Sequence, residues 1–373
     1  MAKNNKKPVV VYGASGYTGR LVCEFLRQYG IPFIAAGRNA ERIQDVMDHV
    51  PGIETADYEV VAVENTVEDL TKLFDGAQVV CNIVGPFERF GEPVVQAALA
   101  AGVHYIDTTG EPAFVEMIVD KYSDAFAEKG LAMAPCAAYM YTPVDIAIHM
   151  CIEPGDMNTL ECVTAGTFVP TFASTQSIYS LFSHDARYLK NNELVAWAPA
   201  KGYEVPVPGF AMTLLMHPWA GGNMPLIYKD HPQVHSLRQL SGNTDRDLME
   251  GLIALQADFE ANVRSLPEDE RKAALDNIVD QIEPFMPPRE QTLIHKSCDI
   301  VTGQGSGGSR RVVIQSTSPY TQTGLFQAAT AAKLISDGTQ KAGFGTACQA
   351  VGHKYLLGQL KSFLPAKVTV EEL

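Results

Sequence analysis

The chain has 373 residues, of which 46% are apolar, and its 29 basic and 43 acidic side chains give a net charge of −14. A soluble chain of this length and composition is expected to form two domains with sizeable cores. The acidic balance argues against nucleic acid as a partner, because no basic stripe is present to neutralise phosphates, and it also disfavours an anionic membrane surface.

The N-terminal segment and the cysteines indicate a cytoplasmic location. Met1–Lys7 leads directly into a strand-like run without the apolar stretch of a signal peptide. No apolar run reaches the about 18 residues that a membrane-spanning helix needs. The seven cysteines are scattered and form no Cys-x-x-Cys pair, so we expect neither a disulfide framework nor a metal site.

The start of the chain predicts a nucleotide-binding turn. Val9–Tyr12 is typical of a buried strand, and a helix is predicted over Arg20–Gln28. Three glycines at a spacing of three lie at this junction, where a helix N-terminus presents backbone N–H groups to a pyrophosphate and glycine permits its close approach. The candidate cofactor contacts are Gly13, Ser15, Gly16, Tyr17, Thr18 and Gly19.

The second predicted strand, Phe33–Ala36, indicates which dinucleotide is bound. NAD-binding folds of this kind usually carry an acidic residue after this strand, which binds the ribose 2′-hydroxyl. Here Arg38 occupies that position and Arg42 follows one helical turn later. Because a guanidinium suits a 2′-phosphate, the pattern favours NADP(H) over NAD(H). The alternative is that both arginines are ordinary surface charges.

Strand-like and helix-like segments alternate up to about residue 150, which predicts a parallel sheet with helices on both faces. Thr66 is a predicted helix N-cap with Asp69 three residues later, and Pro93 is predicted to lie in the first turn of a helix. The predicted segments after the second strand are helix 39–47, strand 58–63, helix 66–73, strand 78–84, helix 93–101, strand 103–107, helix 114–129 and strand 131–134.

From about residue 151 the sequence has more aromatic residues, prolines and short strand-like pieces. Strands are predicted over 160–168 and 311–317, a helix over 245–266, an acid-rich helix start at Pro267 and a turn over 303–309. We interpret 1–150 as a dinucleotide-binding domain and 151–320 as an α+β substrate and dimerisation domain. Helices over 324–336 and 346–362 are predicted to return to the first domain, as part of a tail over 321–373.

Three segments after the fourth predicted strand add a family resemblance. These are Asn82-Ile83-Val84-Gly85-Pro86-Phe87, Phe90–Ala97 and Gly102–Glu111. Together with the glycine-rich turn and Gly37-Arg38, they closely resemble the saccharopine dehydrogenase-like oxidoreductases over roughly the first 145 residues. The resemblance implies that Val84, Gly85 and Pro86 line the cofactor beside the nicotinamide. The family also contains trans-acting enoyl reductases, so the resemblance leaves the substrate open.

The candidate catalytic residues begin where the chain departs from that family. Many relatives carry Gly-Phe-Asp-Ser-x-Pro-x-Asp after the sixth strand, and here Pro143 and Asp145 match while Tyr139 and Tyr141 replace the earlier part. A phenol can protonate a developing oxyanion or donate a hydrogen bond to it, although packing at a domain interface is the alternative.

A second candidate is His184, which with its neighbour Asp185 would form an acid/base pair, with a helix cap or a surface pair as the alternative. The sequence contains neither a Tyr-x-x-x-Lys pair nor a Gly-x-Ser-x-Gly elbow.

The middle of the chain indicates an apolar substrate. Arg187 is the only arginine between residues 151 and 237, so a dicarboxylate would lack cationic partners. The same region supplies many apolar side chains, although a protein core can account for most of them. They are Phe168, Phe172, Tyr179, Phe182, Tyr188, Trp197, Phe210, Met212, Met216 and Trp219.

These observations predict an α/β protein. It has a Rossmann-type doubly wound parallel sheet, an α+β substrate domain and a C-terminal helical return. We expect an NADP(H)-dependent oxidoreductase that transfers hydride to or from a C=C, C=O or C=N bond of a mostly apolar small molecule. A homodimer is expected from the general frequency of twofold oligomers. The alternatives are a redox-neutral lyase or isomerase that retains its nucleotide, and a non-catalytic NADP-binding sensor.

Overall fold

The computed structural model describes residues 7–182, 184–218 and 222–373. The chain divides into two compact units. The first unit comprises Met1–Thr109, Ala113–Thr142 and Tyr320–Leu360, and the second comprises Gly110–Pro112, Pro143–Pro319 and Lys361–Leu373. Trp219, which belongs to the predicted apolar set, lies outside the described residues.

The secondary structure alternates regularly in the first third of the chain. The strands are β1 (Val9–Tyr12), β2 (Phe33–Gly37), β3 (Tyr58–Ala62), β4 (Val79–Asn82), β5 (His104–Asp107), β6 (Ala132–Ala134), β7 (Met157–Gly166), β8 (Arg187–Lys190), β9 (Glu193–Ala196), β10 (Tyr203–Pro206), β11 (Thr213–His217), β12 (Ser236–Asn243), β13 (Lys296–Gly305), β14 (Gly308–Thr317), β15 (Gly343–Phe344) and β16 (Lys367–Glu372). The helices are α1 (Tyr17–Gln28), α2 (Ala40–Asp48), α3 (Val67–Phe74), α4 (Phe87–Ala101), α5 (Pro112–Glu128), α6 (Thr142–Ile152), α7 (Phe172–Leu181), α8 (Asn223–Ile227), α9 (Arg246–Asn262), α10 (Glu268–Asp280), α11 (Pro319–Asp337), α12 (Ala347–Val351) and α13 (His353–Phe363), with a short 3₁₀ helix at Ile53–Thr55.

The first unit contains a parallel sheet in the order β15-β6-β5-β4-β1-β2-β3. Val9 of β1 pairs with Phe33 of β2 on one side and with Val79 of β4 on the other, and all three side chains are fully buried. Buried strands of this kind are expected where helices cover both faces of the sheet. The strand order reverses at β1, and such a switch point lies where open α/β sheets bind ligands. The predicted Rossmann-type fold is confirmed.

Several predicted helix boundaries are corrected by the structure. Helix α1 begins at Tyr17, inside the glycine-rich turn, with Gly16 as its N-cap. The predicted helix start at Pro93 is wrong, because α4 begins at Phe87 and contains Pro93 in its interior. Burial of the apolar face of α4 against the sheet outweighs the helix hydrogen bond that a proline cannot make.

Other local predictions are confirmed. Thr66 caps α3, and its hydroxyl accepts a hydrogen bond from the Asp69 N–H at 3.2 Å. The helix predicted over 245–266 is α9, which Asp245 caps and which ends earlier, at Asn262, and α10 starts directly after Pro267. The glycine-rich stretch over 303–309 forms the hairpin between β13 and β14. The single helix predicted over 346–362 is instead divided into α12 and α13 at Gly352, whose φ is +92°.

The C-terminal helices return to the first unit, as predicted. Helix α11 approaches α1 so closely that a Cβ on Gly324 would lie 2.7 Å from the Leu21 Cβ. The Tyr320 ring also meets the edge of Tyr17, with ring centroids 5.3 Å apart. The last strand does not follow these helices. Strand β16 pairs with β14 of the second unit, which places Lys361–Leu373 in that unit.

The second unit contains a mixed sheet in the order β10-β11-β12-β7-β13-β14-β16, and β8 joins β9 to β12. Strands β7 and β12 run parallel, whereas β7 and β13 run antiparallel with Thr164 opposite Asp299. One face of this sheet carries an apolar core that includes Ala165, Met216 and Ile300. The arrangement confirms the predicted α+β architecture.

Two further findings concern the described part of the chain. None of its helices combines the length and the apolar character needed to cross a membrane. All seven cysteines lie in it, and all are free and buried.

The contact between α4 and α5 gives a first prediction. A Cβ on Gly91 would lie 2.5 Å from the ring of Phe114, whereas a Cβ on Gly251 of α9 would meet nothing within 4 Å. Gly91→Ala is expected to lower the free energy of unfolding by about 1–3 kcal/mol through overpacking. The control Gly251→Ala is expected to raise it by up to about 1 kcal/mol through helix propensity. Urea titrations measure both, and equal stabilities of the two variants would contradict the prediction.

Candidate functional site

The turn between β1 and α1 is closed too tightly for side chains at two of its glycines. Gly13 has a φ of +97°, and its carbonyl oxygen accepts a hydrogen bond from the Gly16 N–H at 3.1 Å. A Cβ on Gly19 would lie only 2.2 Å from that same oxygen. The three predicted glycines therefore meet in one turn, and the backbone itself forms its surface.

This turn has the features of an anion-binding site. No side chain caps α1 at Gly16, so the first turn of the helix directs backbone N–H groups and the positive end of the helix dipole outwards. Ser15 and Thr18 are half-buried at the same place. The Tyr17 ring is buried, with the Arg20 guanidinium 4.5 Å from its centroid, so this residue faces the turn with its backbone.

The two candidate arginines lie at the end of β2. Arg38 and Arg42 are exposed, and within residues 7–182, 184–218 and 222–373 neither guanidinium has an ion-pair or hydrogen-bond partner. The Asn39 side chain accepts the Arg42 N–H at 2.9 Å and so caps α2. Arg38 is close enough to Tyr12 to oppose the effect of burial, which raises the pKa of that phenol to about 12, while Glu64 raises it further. The charge around the end of β2 is therefore mixed.

The loop after β4 contacts the glycine-rich turn. A Cβ on Gly13 would lie 2.9 Å from Val84 Cγ2, and the Ile83 N–H donates to the Tyr12 carbonyl at 2.8 Å. The Gly85–Pro86 peptide bond is cis. The structure thus brings Val84–Pro86 and the glycine-rich turn together at the switch point of the sheet.

A buried hydrogen-bond network supports this loop. Asn82 Oδ1 accepts the Val84 N–H at 3.1 Å, and Asn82 Nδ2 donates to the Tyr105 hydroxyl at 3.1 Å. The Tyr105 hydroxyl donates to Asp107 Oδ2 at 2.8 Å. Asn82, Tyr105 and Asp107 are completely buried. Burial raises the pKa of Asp107 to about 6, although hydrogen bonds from Thr109, Tyr105 and Cys136 lower it in part.

Tyr139 and Tyr141 follow β6 in the same unit. Both are buried, with 7% and 5% of their surface exposed. The Tyr139 N–H donates to Thr323 Oγ1 at 3.0 Å, and Met140 between them has a φ of +78°. The segment begins at Cys136, whose N–H donates to Asp107 Oδ1 at 3.0 Å. The structure therefore links the two tyrosines to the end of β5 through the backbone.

His184 belongs to the second unit, whereas the two tyrosines belong to the first. It is exposed and lines a surface cavity of about 350 Å³ together with Phe182, Asp185 and Gln256. The Asp185 carboxylate forms an ion pair with Arg264 at 3.2 Å. The predicted partner of His184 is therefore engaged elsewhere.

The sequence motifs indicate only part of the network behind the Val84–Pro86 loop. Asn82, Tyr105 and Asp107 all belong to the family-like segments, but no sequence pattern predicts a role for Tyr105. Gln327 of α11 donates to the Asp107 carbonyl at 2.7 Å and to the Ala137 carbonyl at 2.9 Å. Nothing in the sequence connects a glutamine 220 residues later with β5. Over the described residues, no group of three or more His, Cys, Asp or Glu side chains could hold a metal ion.

Comparison with protein families gives two matches that meet between residues 133 and 142, close to the boundary between the two units at Thr142 and Pro143. Residues 9–133 match the model of the "Saccharopine dehydrogenase NADP binding domain". Residues 142–370 match that of a "Family of unknown function (DUF5938)". The fold is similar to that of apo saccharopine dehydrogenase (L-Glu forming) from Saccharomyces cerevisiae, with a TM-score of 0.62 over 98% of this chain and 100% of that chain. At 12% identity, this likeness shows a shared fold alone.

Sequence relatives align with less than half of the chain. It is 34% identical over 163 residues to the "Lipid droplet localized protein" of Caenorhabditis elegans, covering 41% of this chain and 38% of that protein. It is 31% identical over 154 residues to the "Saccharopine dehydrogenase-like oxidoreductase" of Mus musculus, covering 38% and 36%. It is 29% identical over 190 residues to a provisionally named trans-acting enoyl reductase of Mycobacterium tuberculosis, covering 48% and 45%.

This chain therefore spans less than half the length of each of these relatives. The names of the mouse and mycobacterial relatives agree with the resemblance found in the N-terminal motifs. Because the family model for residues 142–370 covers more than half of the chain, the chain belongs to the "Family of unknown function (DUF5938)", and its residues 9–133 match the NADP-binding domain of saccharopine dehydrogenase.

Proposed function

We propose that this protein is an NADP(H)-dependent oxidoreductase that transfers hydride to or from a C=C, C=O or C=N bond of a mostly apolar small molecule. The observation that carries the proposal is the contact of the glycine-rich turn with the Val84–Pro86 loop at the sheet's switch point. The names of the mouse and mycobacterial relatives, an oxidoreductase and an enoyl reductase, support the same class of reaction.

The residues present fit an NADP(H) molecule. The turn can close as tightly as it does only because Gly13 and Gly19 lack a Cβ, and the first turn of α1 offers N–H donors to a pyrophosphate. Arg38 and Arg42 are exposed cations that can pair with a 2′-phosphate, so we propose a preference for NADP(H) over NAD(H). When bound, the nicotinamide supplies the hydride donor or acceptor.

The chain's own groups would hold the reactants and handle the proton. Val84, Gly85 and Pro86 line the nicotinamide side of the site in this proposal. Tyr139 and Tyr141 donate a hydrogen bond or a proton to the oxygen or nitrogen at which charge develops. His184 remains a further candidate acid or base in the second unit, although Asp185 is paired with Arg264.

Exposed apolar surface in the second unit supports an apolar substrate. Of the nine described members of the predicted apolar set, only Phe182 and Met216 are buried. Every residue of α7 keeps some exposure. A shallow surface pocket beside this helix is lined by Phe168, Pro170, Asn243, Met249 and Leu252 together with Ile178 and Leu248. Apolar walls of this kind suit hydrocarbon or aromatic groups better than carboxylates. A cytoplasmic homodimer is part of the same proposal.

Bound nucleotide distinguishes this proposal from its rivals. Native mass spectrometry of the purified protein, followed by titration with NADPH and NADH, measures occupancy and preference. Exchangeable NADPH supports a reductase and justifies screening apolar ketones and enones by nicotinamide absorbance. A nucleotide that neither exchanges nor changes redox state supports a lyase or isomerase. Failure to bind either nucleotide would refute the proposal.

Replacement of Arg38 tests the cofactor preference. Arg38→Asp is expected to lower the ratio of NADPH to NADH affinity by about ten- to hundredfold, because hydrogen bonds between charged groups contribute about 1.5–3 kcal/mol. Arg238→Ala on β12, which removes an exposed guanidinium in the second unit, serves as the control. Isothermal titration with both nucleotides measures the ratio. An unchanged ratio in Arg38→Asp would refute the proposed role.

Replacement of Gly19 tests the turn itself. The added Cβ of Gly19→Ala would meet the Gly13 carbonyl oxygen and the Ala14 Cα, at 2.2 and 2.8 Å. Both are backbone atoms, so the turn must open, and we expect NADPH affinity to fall more than about tenfold, or about 1.4 kcal/mol. Gly251→Ala adds a methyl group in open space and should retain the wild-type affinity. Circular dichroism checks folding, and wild-type affinity in folded Gly19→Ala would contradict the prediction.

Replacement of the two tyrosines tests the chemical step. Tyr139→Phe and Tyr141→Phe are each expected to lower turnover of an enone or ketone identified in the screen by about 10²–10⁴-fold, the usual contribution of a general acid. NADPH affinity should stay within about twofold of wild type, because a phenol in this role contacts the substrate. Tyr122→Phe, on α5, is the matched control. Full turnover in both test variants would exclude the phenols as proton donors.

A further inference from the structure

One unbroken chain of hydrogen bonds runs from the proposed cofactor loop into the core of the first unit. The Val84 N–H donates to Asn82 Oδ1, Asn82 Nδ2 donates to the Tyr105 hydroxyl, and that hydroxyl donates to Asp107 Oδ2, at 3.1, 3.1 and 2.8 Å. Asn82 and Asp107 are paired in register at the ends of β4 and β5. The side chains of Asn82, Tyr105 and Asp107 are completely buried, so water does not compete for the hydrogen bonds between them.

The other carboxylate oxygen of Asp107 binds a different part of the site. Asp107 Oδ1 accepts the N–H groups of Thr109 and Cys136 at 2.9 and 3.0 Å. Cys136 begins the segment that carries the two candidate tyrosines. A single buried carboxylate therefore connects the loop at Val84 with the segment that follows β6.

The link between the Val84 loop and the segment after β6 depends on whether Asp107 carries a proton, because the carboxylate accepts every hydrogen bond that it makes in this network. An ionised carboxylate only accepts, which matches the three donors that face it. A proton on Oδ2 would make that atom a donor to Tyr105, whose hydroxyl already accepts from Asn82. The Tyr105 proton would then lack an acceptor unless the Asn82 amide turned over. That rotation would remove the acceptor of the Val84 N–H.

We propose that Asn82, Tyr105 and Asp107 act as positioning residues, which hold the Val84–Pro86 loop in its nucleotide-binding conformation only while Asp107 is ionised. The role in nucleotide binding rests on the function proposed above. The coupling between Asp107 and the loop stands independently of it, because it follows from the hydrogen bonds alone.

The ionisation of Asp107 falls in a measurable range. Burial raises its pKa from 3.8 to about 6, so the carboxyl is ionised above that pH and takes up a proton below it. The titratable group that faces it is the Tyr105 hydroxyl on β5, and the Cys136 thiol after β6 is close enough to raise the pKa of that hydroxyl. Its neighbours on β4 and α11, Asn82 and Gln327, do not titrate. Lowering the pH through 6 should therefore loosen the loop and weaken nucleotide binding.

The test compares NADP⁺ affinity at pH 7.5 and pH 5.0 in the wild type and in Tyr105→Phe. If only the ionised form binds, about a tenth of the wild-type protein is competent at pH 5.0, and affinity should fall about tenfold from this cause. Tyr105→Phe interrupts the chain of hydrogen bonds, so the tenfold fall in affinity caused by protonation of Asp107 should be absent in this variant. The 2′-phosphate of the nucleotide also titrates near pH 6, but it does so for every variant and cancels in the comparison.

The first unit supplies a matched control. Gln96 Nε2 donates to the Tyr122 hydroxyl at 2.7 Å, and that hydroxyl donates to Glu92 Oε1 at 2.7 Å. This amide–phenol–carboxylate chain lies between α4 and α5, and Tyr122→Phe removes it. Tyr122→Phe should keep the wild-type pH profile. If Tyr105→Phe does not fold, Asp107→Asn makes the same comparison, because its amide does not titrate in this range.

A second measurement needs no nucleotide. Hydrogen exchange of the Val84 amide, corrected for its intrinsic rate at each pH, should show protection that falls below pH 6 in the wild type and in Tyr122→Phe. In Tyr105→Phe and Asp107→Asn the protection should not vary with pH. Parallel profiles in the wild type and Tyr105→Phe, for both binding and exchange, would overturn the proposal. Absence of NADP⁺ binding together with pH-dependent protection of Val84 would refute the proposed function and support the coupling.

Discussion

The candidate site depends on the close approach of three backbone segments at the end of β1. The Gly13 carbonyl oxygen accepts the Gly16 N–H and lies 2.2 Å from the position that a Cβ of Gly19 would take, while the Val84 side chain approaches Gly13 itself. A methyl group added at Gly19 would require a shift of backbone atoms. The position of the N-terminal end of α1 follows from this packing.

Behind that turn, polar groups replace the apolar side chains that normally fill a sheet. Asn82, Tyr105 and Asp107 have no exposure to solvent, and a buried carboxylate without partners would destabilise the unit by several kcal/mol. Each of them instead has hydrogen-bond partners, and the Gln327 side chain donates to the backbone carbonyls of the same region. A buried network in which each of these side chains has hydrogen-bond partners can fix one arrangement of the loops, where apolar packing would allow several.

The elements that the sequence predicts well are those set by neighbouring residues. Thr66 with Asp69, Asp245 before α9, and the glycine-rich turn before α1 each depend on groups a few residues apart, and each is found in the structure. Pro93 shows the limit of such reasoning, because the local penalty of a proline is outweighed by the burial of α4 against the sheet. Contacts across long separations, such as Gln327 with Asp107, leave no local signal and appear only in the folded chain.

The two parts of the chain differ in how they can acquire specificity. At the turn and at α1, a nucleotide would meet mainly backbone, and a backbone surface depends on a few glycines and little else. The second unit instead carries half-exposed aromatic and aliphatic side chains on α7 and around it, and the shape of such a surface changes with every substitution. Under the proposed function, substrate specificity therefore depends on the side chains of the second unit within residues 143–319, whereas cofactor binding depends on the backbone that precedes them.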